Sequence, residues 1–215
     1  MFRKRKELKN KKGFTLVELI IALGVFSAGI MSAFTLALAG LNTSKDNYAR
    51  IQAANLAREG LELVRNERDS NWLKIDANED CDDSNDGLQF CDWNENLSPG
   101  YYFADFHYRI EEQESLNESH FANLGSCAVC SIYFDDSHPN AADNQFFSMT
   151  DYSGVITNMK RLIEIKNICE DESITIGTCS DKIIGLEVIS RVYWQLLGKE
   201  HQIDVKEKLY NWKRW

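Results

Sequence analysis

The feature that most constrains this chain is an apolar run over residues 14–41 that carries one carboxylate, Glu18, near its start. As a helix the run is about 42 Å long, against a bilayer hydrocarbon core of about 30 Å. It therefore reads as a membrane span that tilts or enters the headgroups. A carboxylate near mid-bilayer costs roughly 2.5 to 3.5 kcal/mol on insertion scales. Glu18 thus requires a cationic partner, because a paired charge is far cheaper to bury than a lone one. Gly24, Gly29 and Gly40 are weak points in the helix, each costing up to about 1 kcal/mol relative to Ala. The same residues permit close helix–helix packing.

Charge divides the chain at this run. Residues 1–13 hold seven Lys or Arg and one acid, a net of +6. The total is −9, which leaves −15 for the remainder. Basic residues beside a span stay cytoplasmic, and each contributes about 1 kcal/mol of attraction to an anionic leaflet. The acidic remainder is expected outside the cytoplasm. Such a surface argues against non-specific nucleic-acid binding, which needs a basic one. The small cluster Lys206, Lys208, Lys213 and Arg214 reads as a solvated strand edge and tail.

The segment Gly13-Phe14-Thr15-Leu16-Val17-Glu18-Leu19-Ile20 resembles the processing site of type IV prepilins and of the related prepilins of type II secretion. The resemblance implies that a prepilin peptidase cuts between Gly13 and Phe14 and methylates the new Phe14 amine. It further implies that residues 14–41 stay in the membrane until the subunit enters a helical filament. Glu18 then pairs with the Phe14 amine of a neighbour or of its own chain. Physical chemistry agrees: Gly13 lacks a Cβ and admits a protease to the backbone, and Phe14 to Glu18 is an i to i+4 spacing. Ala37-Leu38-Ala39 matches a signal-peptidase pattern, but an apolar stretch of about 23 residues with an internal acid is unlike a secretory signal, whose apolar core is about 7–15 residues.

A second resemblance narrows the class. Ala54-Asn55-Leu56-Ala57-Arg58-Glu59-Gly60-Leu61-Glu62-Leu63-Val64-Arg65-Asn66, followed by Arg68-Asp69-Ser70-Asn71-Trp72, is similar to minor pilins of the PilV-like (type IV pilus modification protein) group. Val192-Tyr193-Trp194-Gln195 and Leu209-Tyr210-Asn211-Trp212 resemble the closing strands of that group. The apolar helix lacks the proline found in many major pilins, a departure that weakens a major-subunit reading and leaves the minor-pilin reading untouched. The resemblance implies an α+β, pilin-like fold in which a long N-terminal helix packs on a C-terminal antiparallel β-sheet. Residues 1–13 are then a basic leader and 14–41 the transmembrane and filament-core helix. Residues 42–72 continue that helix as an amphipathic segment, and 73–215 form a disulfide-containing β-rich domain. The expected partners are prepilin peptidase, other pilins of the filament and, as a single-pass protein, the membrane. The chain would lie in the bacterial cytoplasmic membrane with its N-terminus inside, then in a surface pilus. Two alternatives remain: a minor pseudopilin of type II secretion, and an adhesin or binding module that merely uses the anchor.

In the amphipathic segment Ala53, Ala57, Leu61 and Val64 recur at helical spacing, widened by Leu56 and Leu63, and mark the face that meets a sheet. Arg50, Arg58, Glu62 and Arg65 populate the rest. Residues 73–100 read as a loop region. In it Asp82-x-Ser84-x-Asp86-Gly87 resembles the start of a calcium loop, but Trp93 stands where the bidentate Glu belongs, so no metal is assigned. Strands are predicted over 101–110, with Tyr102, Phe106, Tyr108 and Ile110 on the buried side, and over 128–134 and 160–168. Another runs over 183–197, where Ile184, Leu186, Val188, Val192 and Trp194 share one parity and Ser190 interrupts it. A hairpin turn over Leu197-Gly198-Lys199-Glu200 leads to a returning strand over 202–209, giving a meander whose tail holds Trp212 and Trp215.

Six cysteines, Cys81, Cys91, Cys127, Cys130, Cys169 and Cys179, all lie beyond the span. Cysteines of an exported domain read as disulfides, with 15 possible pairings. The local set 81–91, 127–130 and 169–179 is favoured because each bond closes a short loop. Cys127-x-x-Cys130 lacks the strand-then-helix context of a redox motif, and a zinc site with His120 or His138 lacks a second ligand pair. His107, His120, His138 and His201 form no catalytic pattern. The expectation is a protein that is not an enzyme and holds no cofactor.

Overall fold

A computed structural model describes residues 13, 15–77, 92–104, 110–134, 147–148 and 155–212. The chain forms two compact units, Met1–Asn47 and Tyr48–Trp215. Helix α1 spans Leu16–Ala77. It outlasts the predicted end near residue 72 because 71–77 contain no Gly or Pro and Asn71 and Trp72 are buried anchors.

In the second unit the sheet comprises β1 (Gly100–Ala104), β2 (Ile110–Glu112), β3 (Ser131–Phe134), β4 (Phe147–Ser148), β5 (Val155–Cys169), β6 (Ile174–Thr175), β7 (Ile183–Leu196) and β8 (Lys199–Tyr210). A short helix α2 (Glu118–Ala122) and a 3-10 turn (Leu124–Ser126) lie between β2 and β3. All strand pairs are antiparallel. Strand β5 is the centre. One of its edges is taken by β7 along Met159–Cys169. The other is shared in turn by β3, β1 and β6. The expected antiparallel meander is present in β7–β8 and extends to β5, whereas three short strands divide the other edge of β5.

Two predicted strands are shorter than expected. The one over 101–110 ends at Ala104, and Ile110 belongs to β2, which folds back so that Ala104 pairs with Ile110. Tyr102 and its neighbour Tyr101 are both buried, since both faces of β1 are covered. Phe106 and Tyr108 lie outside the described residues. The strand over 128–134 starts only at Ser131, because the Cys127–Cys130 disulfide holds the preceding residues in a turn. Conversely, β5 begins five residues before the predicted Lys160.

Alternation along the strands gives the sheet two faces. One packs on residues 48–77 of α1. Ala53, Leu56, Ala57, Leu61, Leu63 and Val64 are all buried there, as the helical spacing predicts. The even residues of β7, Leu186, Val188, Ser190, Val192 and Trp194, are buried too. Arg161 on β5 is fully buried at this interface. Its guanidinium donates to the carbonyls of Leu56 (3.0 Å) and Ala104 (2.7 Å) and to Glu59 Oε2 (3.0 Å), tying α1, β5 and β1 together.

The other face carries a partial third layer that the sequence did not predict. Tyr101 packs on Phe121 of α2. Arg191 of β7 lies over the Phe121 ring and donates to the Phe121 carbonyl at 2.8 Å. Lys160 Nζ donates to Gly125 O at 2.6 Å. The Cys127–Cys130 and Cys169–Cys179 disulfides are both formed. Cys81, Cys91, the acidic stretch 78–86, Lys213, Arg214 and Trp215 lie outside the described residues.

Candidate functional site

The site with chemistry to explain is the start of α1. Thr15 caps the helix. Its carbonyl accepts the Leu19 N–H at 3.2 Å, and its hydroxyl accepts the Glu18 N–H at 3.3 Å. Thr15-Leu16-Val17-Glu18 is thus half of a capping box, with Glu18 at the third helical position. The role of Thr15 was missed in the sequence, where the Thr-x-x-Glu spacing was the signal that could have found it. An acid in the first turn is also favoured by the helix dipole. Around Gly13 the space is open, with no heavy atom within 4 Å of a Cβ built there. Phe14 lies outside the described residues.

From Leu16 to Leu41 the helix exposes its apolar side chains on every side. It is long and apolar enough to cross a membrane, with a mean hydropathy of 2.2 in its most apolar window, and none of that window is buried. A soluble protein's core helix of equal hydropathy would be covered by its own fold. Four of its hydroxyls are satisfied within the helix. Ser27, Ser32 and Thr43 donate to the carbonyls of Leu23, Ala28 and Ala39, and Thr35 to that of Ser32. These bonds leave no hydroxyl donor facing hydrocarbon unpaired at those positions.

Residues 8–36 match the family model of the prokaryotic N-terminal methylation motif. The chain carries a pilin-type methylation motif. The match supports a type IV prepilin-like protein, a class whose members are structural subunits. It covers Gly13, Phe14 and Glu18 and ends inside the apolar run. No curated protein and no solved structure matches the chain.

Outside the motif, the other segments singled out in the sequence serve packing. Asn71 is fully buried, and its Nδ2 donates to the carbonyls of Glu95 (2.7 Å) and Trp93 (3.4 Å), fastening the turn after α1 to the helix end. Trp72 rests against Trp212, their ring centroids 5.8 Å apart. Cys127 and Cys130 are joined to each other, so neither offers a thiolate to a metal. His120 Nδ1 lies 3.0 Å from Asn117 Oδ1. Among the described residues no group of three His, Cys, Asp or Glu could hold a metal ion.

Proposed function

We propose that this chain is a minor pilin of the PilV-like kind, cut between Gly13 and Phe14 and assembled through its N-terminal helix into a type IV pilus. The observation that carries the reading is the methylation motif over residues 8–36, placed at the head of a helix whose apolar surface has no cover of its own. A motif of this kind implies a prepilin peptidase and other pilins as partners. In the proposed mechanism the basic leader keeps the N-terminus inside. The peptidase frees the Phe14 amine and methylates it. Glu18 then pairs with such an amine as the helix leaves lipid for the filament core, where the pair replaces a lone charge in an apolar medium. The β-sheet unit faces outward or sits at the filament tip.

The test is the mass and N-terminal sequence of the protein recovered from its native membrane and filaments. The expected chain begins at N-methyl-Phe14. Glu18→Ala is expected to reach the membrane and to be lost from filaments. A mature chain beginning at Gly40 would mean a secreted domain and would overturn the mechanism. An uncut chain in a host with active peptidase would leave a simple anchor. Recovery in a type II secretion complex rather than a pilus would assign the pseudopilin role, since the motif serves both systems.

A further inference from the structure

Strand β8 leaves one edge of the sheet open. Among the described residues it pairs with β7 alone. It is 12 residues long, contains no proline, and keeps an unbroken register with β7. Asn211 N donates to Ile184 O at 2.9 Å. Bonded and non-bonded pairs alternate in an antiparallel ladder, so stepping by two from that pair makes the odd residues of β8 the ones bonded to β7. The backbone N–H and C=O groups of Glu200, Gln202, Asp204, Lys206 and Lys208 therefore point out from the edge. Such an edge is a template for another strand, and charges on it ordinarily keep strands away.

Here the charges select a partner instead. A second copy that pairs antiparallel about a two-fold axis presents the same strand reversed. Its outward-pointing residues must meet outward-pointing residues, so the axis passes through a residue of β8. With the axis at Ile203, Lys199 stands opposite Glu207, Glu200 opposite Lys206, Gln202 opposite Asp204, and Ile203 opposite itself. Symmetry doubles each ionic pair, and no like charges face one another. The neighbouring registers are poorer. An axis at Asp204 or Lys206 sets that residue against its own copy, and one at Gln202 sets Glu200 against Asp204. An axis at Val205 leaves only the Asp204–Lys206 pair. Directly opposed unlike charges stabilise a strand pair and like charges oppose it.

Two side chains fit the same register. Ile203 is only partly buried against the core, and a non-bonded pair at the axis brings its side chain closest to its copy. Glu207 shares the single guanidinium of Arg65 with Glu62, so that group holds two carboxylates and one cation. The partner's Lys199 would supply the second cation.

We propose that the open edge of β8 binds a second copy of this chain, strand against strand, about a two-fold axis at Ile203. The axis reverses β8. Residues 48–77 of α1 run in the same direction as β8, since Glu59 meets Arg161 and Arg65 meets Glu207 further along. The two copies of that helix therefore run antiparallel. The contact suits chains that meet from opposite directions, not neighbours aligned within one filament, and it does not depend on the filament reading.

The test is analytical ultracentrifugation of the full chain in detergent, over a range of concentrations, for the parent, Glu200→Lys and Lys206→Glu. The parent is expected to dimerise. Either reversal sets like charges opposite each other at two places in the pair and should raise Kd at least about tenfold. An equimolar mixture of the two variants should dimerise like the parent, because in the mixed pair each new charge faces its opposite. Both side chains are exposed, so urea midpoints should barely move, and recovery in the mixture excludes misfolding as the cause of dispersal. A parent that stays monomeric at every concentration overturns the proposal. A dimer indifferent to both reversals places the contact elsewhere and overturns it too. Dispersal by each reversal without recovery in the mixture overturns the register about Ile203.

Discussion

Gly60 and Ser190 are 130 residues apart in sequence, and their contact sets how closely α1 approaches the sheet. A Cβ built on Gly60 would stand 2.6 Å from Ser190 Oγ and 3.1 Å from Ile163 Cδ1. Ser190 is fully buried, which leaves the oxygen no open space to turn into, and its hydroxyl has no hydrogen-bond partner among the described residues. Gly60→Ala should gain about 1 kcal/mol in helix propensity and lose about 2–3 kcal/mol to overpacking. The net effect is a destabilisation of about 1–2 kcal/mol, or roughly 2–8 °C in midpoint for a chain of this size. Ser190→Ala removes the oxygen. The nearest atom to the new methyl is then the movable end of Ile163, and Gly60→Ala should become neutral or stabilising. The two substitutions should couple by about 1–2 kcal/mol. Ser190→Ala alone should stabilise by on the order of 1 kcal/mol, because it deletes a buried unpaired hydroxyl. The assay is urea unfolding of the full chain in detergent, followed by tryptophan fluorescence. Equal losses from Gly60→Ala in the parent chain and in the chain already carrying Ser190→Ala would refute the close-approach reasoning. So would a Gly60→Ala chain as stable as the parent.

Two further outcomes follow from the same interfaces. Arg161→Leu should cost about 3 kcal/mol, since it removes charge-assisted bonds to α1 and β1 and leaves the Ala104 carbonyl in the core without that donor. Arg161→Lys should recover little of the loss, because an ammonium lacks the fork that reaches both elements; urea midpoints of both variants would show it. Burial, and then the charge of Glu164, pushes the Tyr101 hydroxyl up to about 12. The folded state thus holds this proton more tightly than the unfolded chain does. Its contribution is full below about pH 10 and is lost as pH rises towards 12. Alkaline unfolding midpoints should fall across that window, and Tyr101→Phe should flatten part of the fall.

What could be read from the sequence was what repeats at short range. The α1 stripe and the single-parity face of β7 are periodic, so local spacing reveals them. Glu18 stood out because a charge inside an apolar run is chemically conspicuous, and its place in the first turn of α1 is what the structure adds. Ser190 looked like an interruption of the β7 pattern, but its small size matches Gly60, and only the docked helix reveals that complement. The layer built by α2 and the 3-10 turn was not legible. These elements are too short to carry a period, and they are held by Arg191, Lys160 and Tyr101 from distant strands. Arg161 could not be placed either, since nothing local tells a buried guanidinium from a solvated one. The division of the second β5 edge among three strands likewise depends on pairings between segments far apart in the chain.

Those long-range pairings also impose a timetable. Leu56 waits 105 residues for Arg161, and Arg65 waits 142 for Glu207. At typical synthesis rates of about 5–20 residues per second, the second interval is on the order of 10 s. Throughout it the greasy stripe of α1 has been made and its sheet is incomplete. The core of the second unit cannot close while the ribosome is still upstream of β5. The molecule thus spends its first seconds as an amphipathic helix with nothing to lie on, the state in which a holding chaperone or a membrane surface has most to offer it.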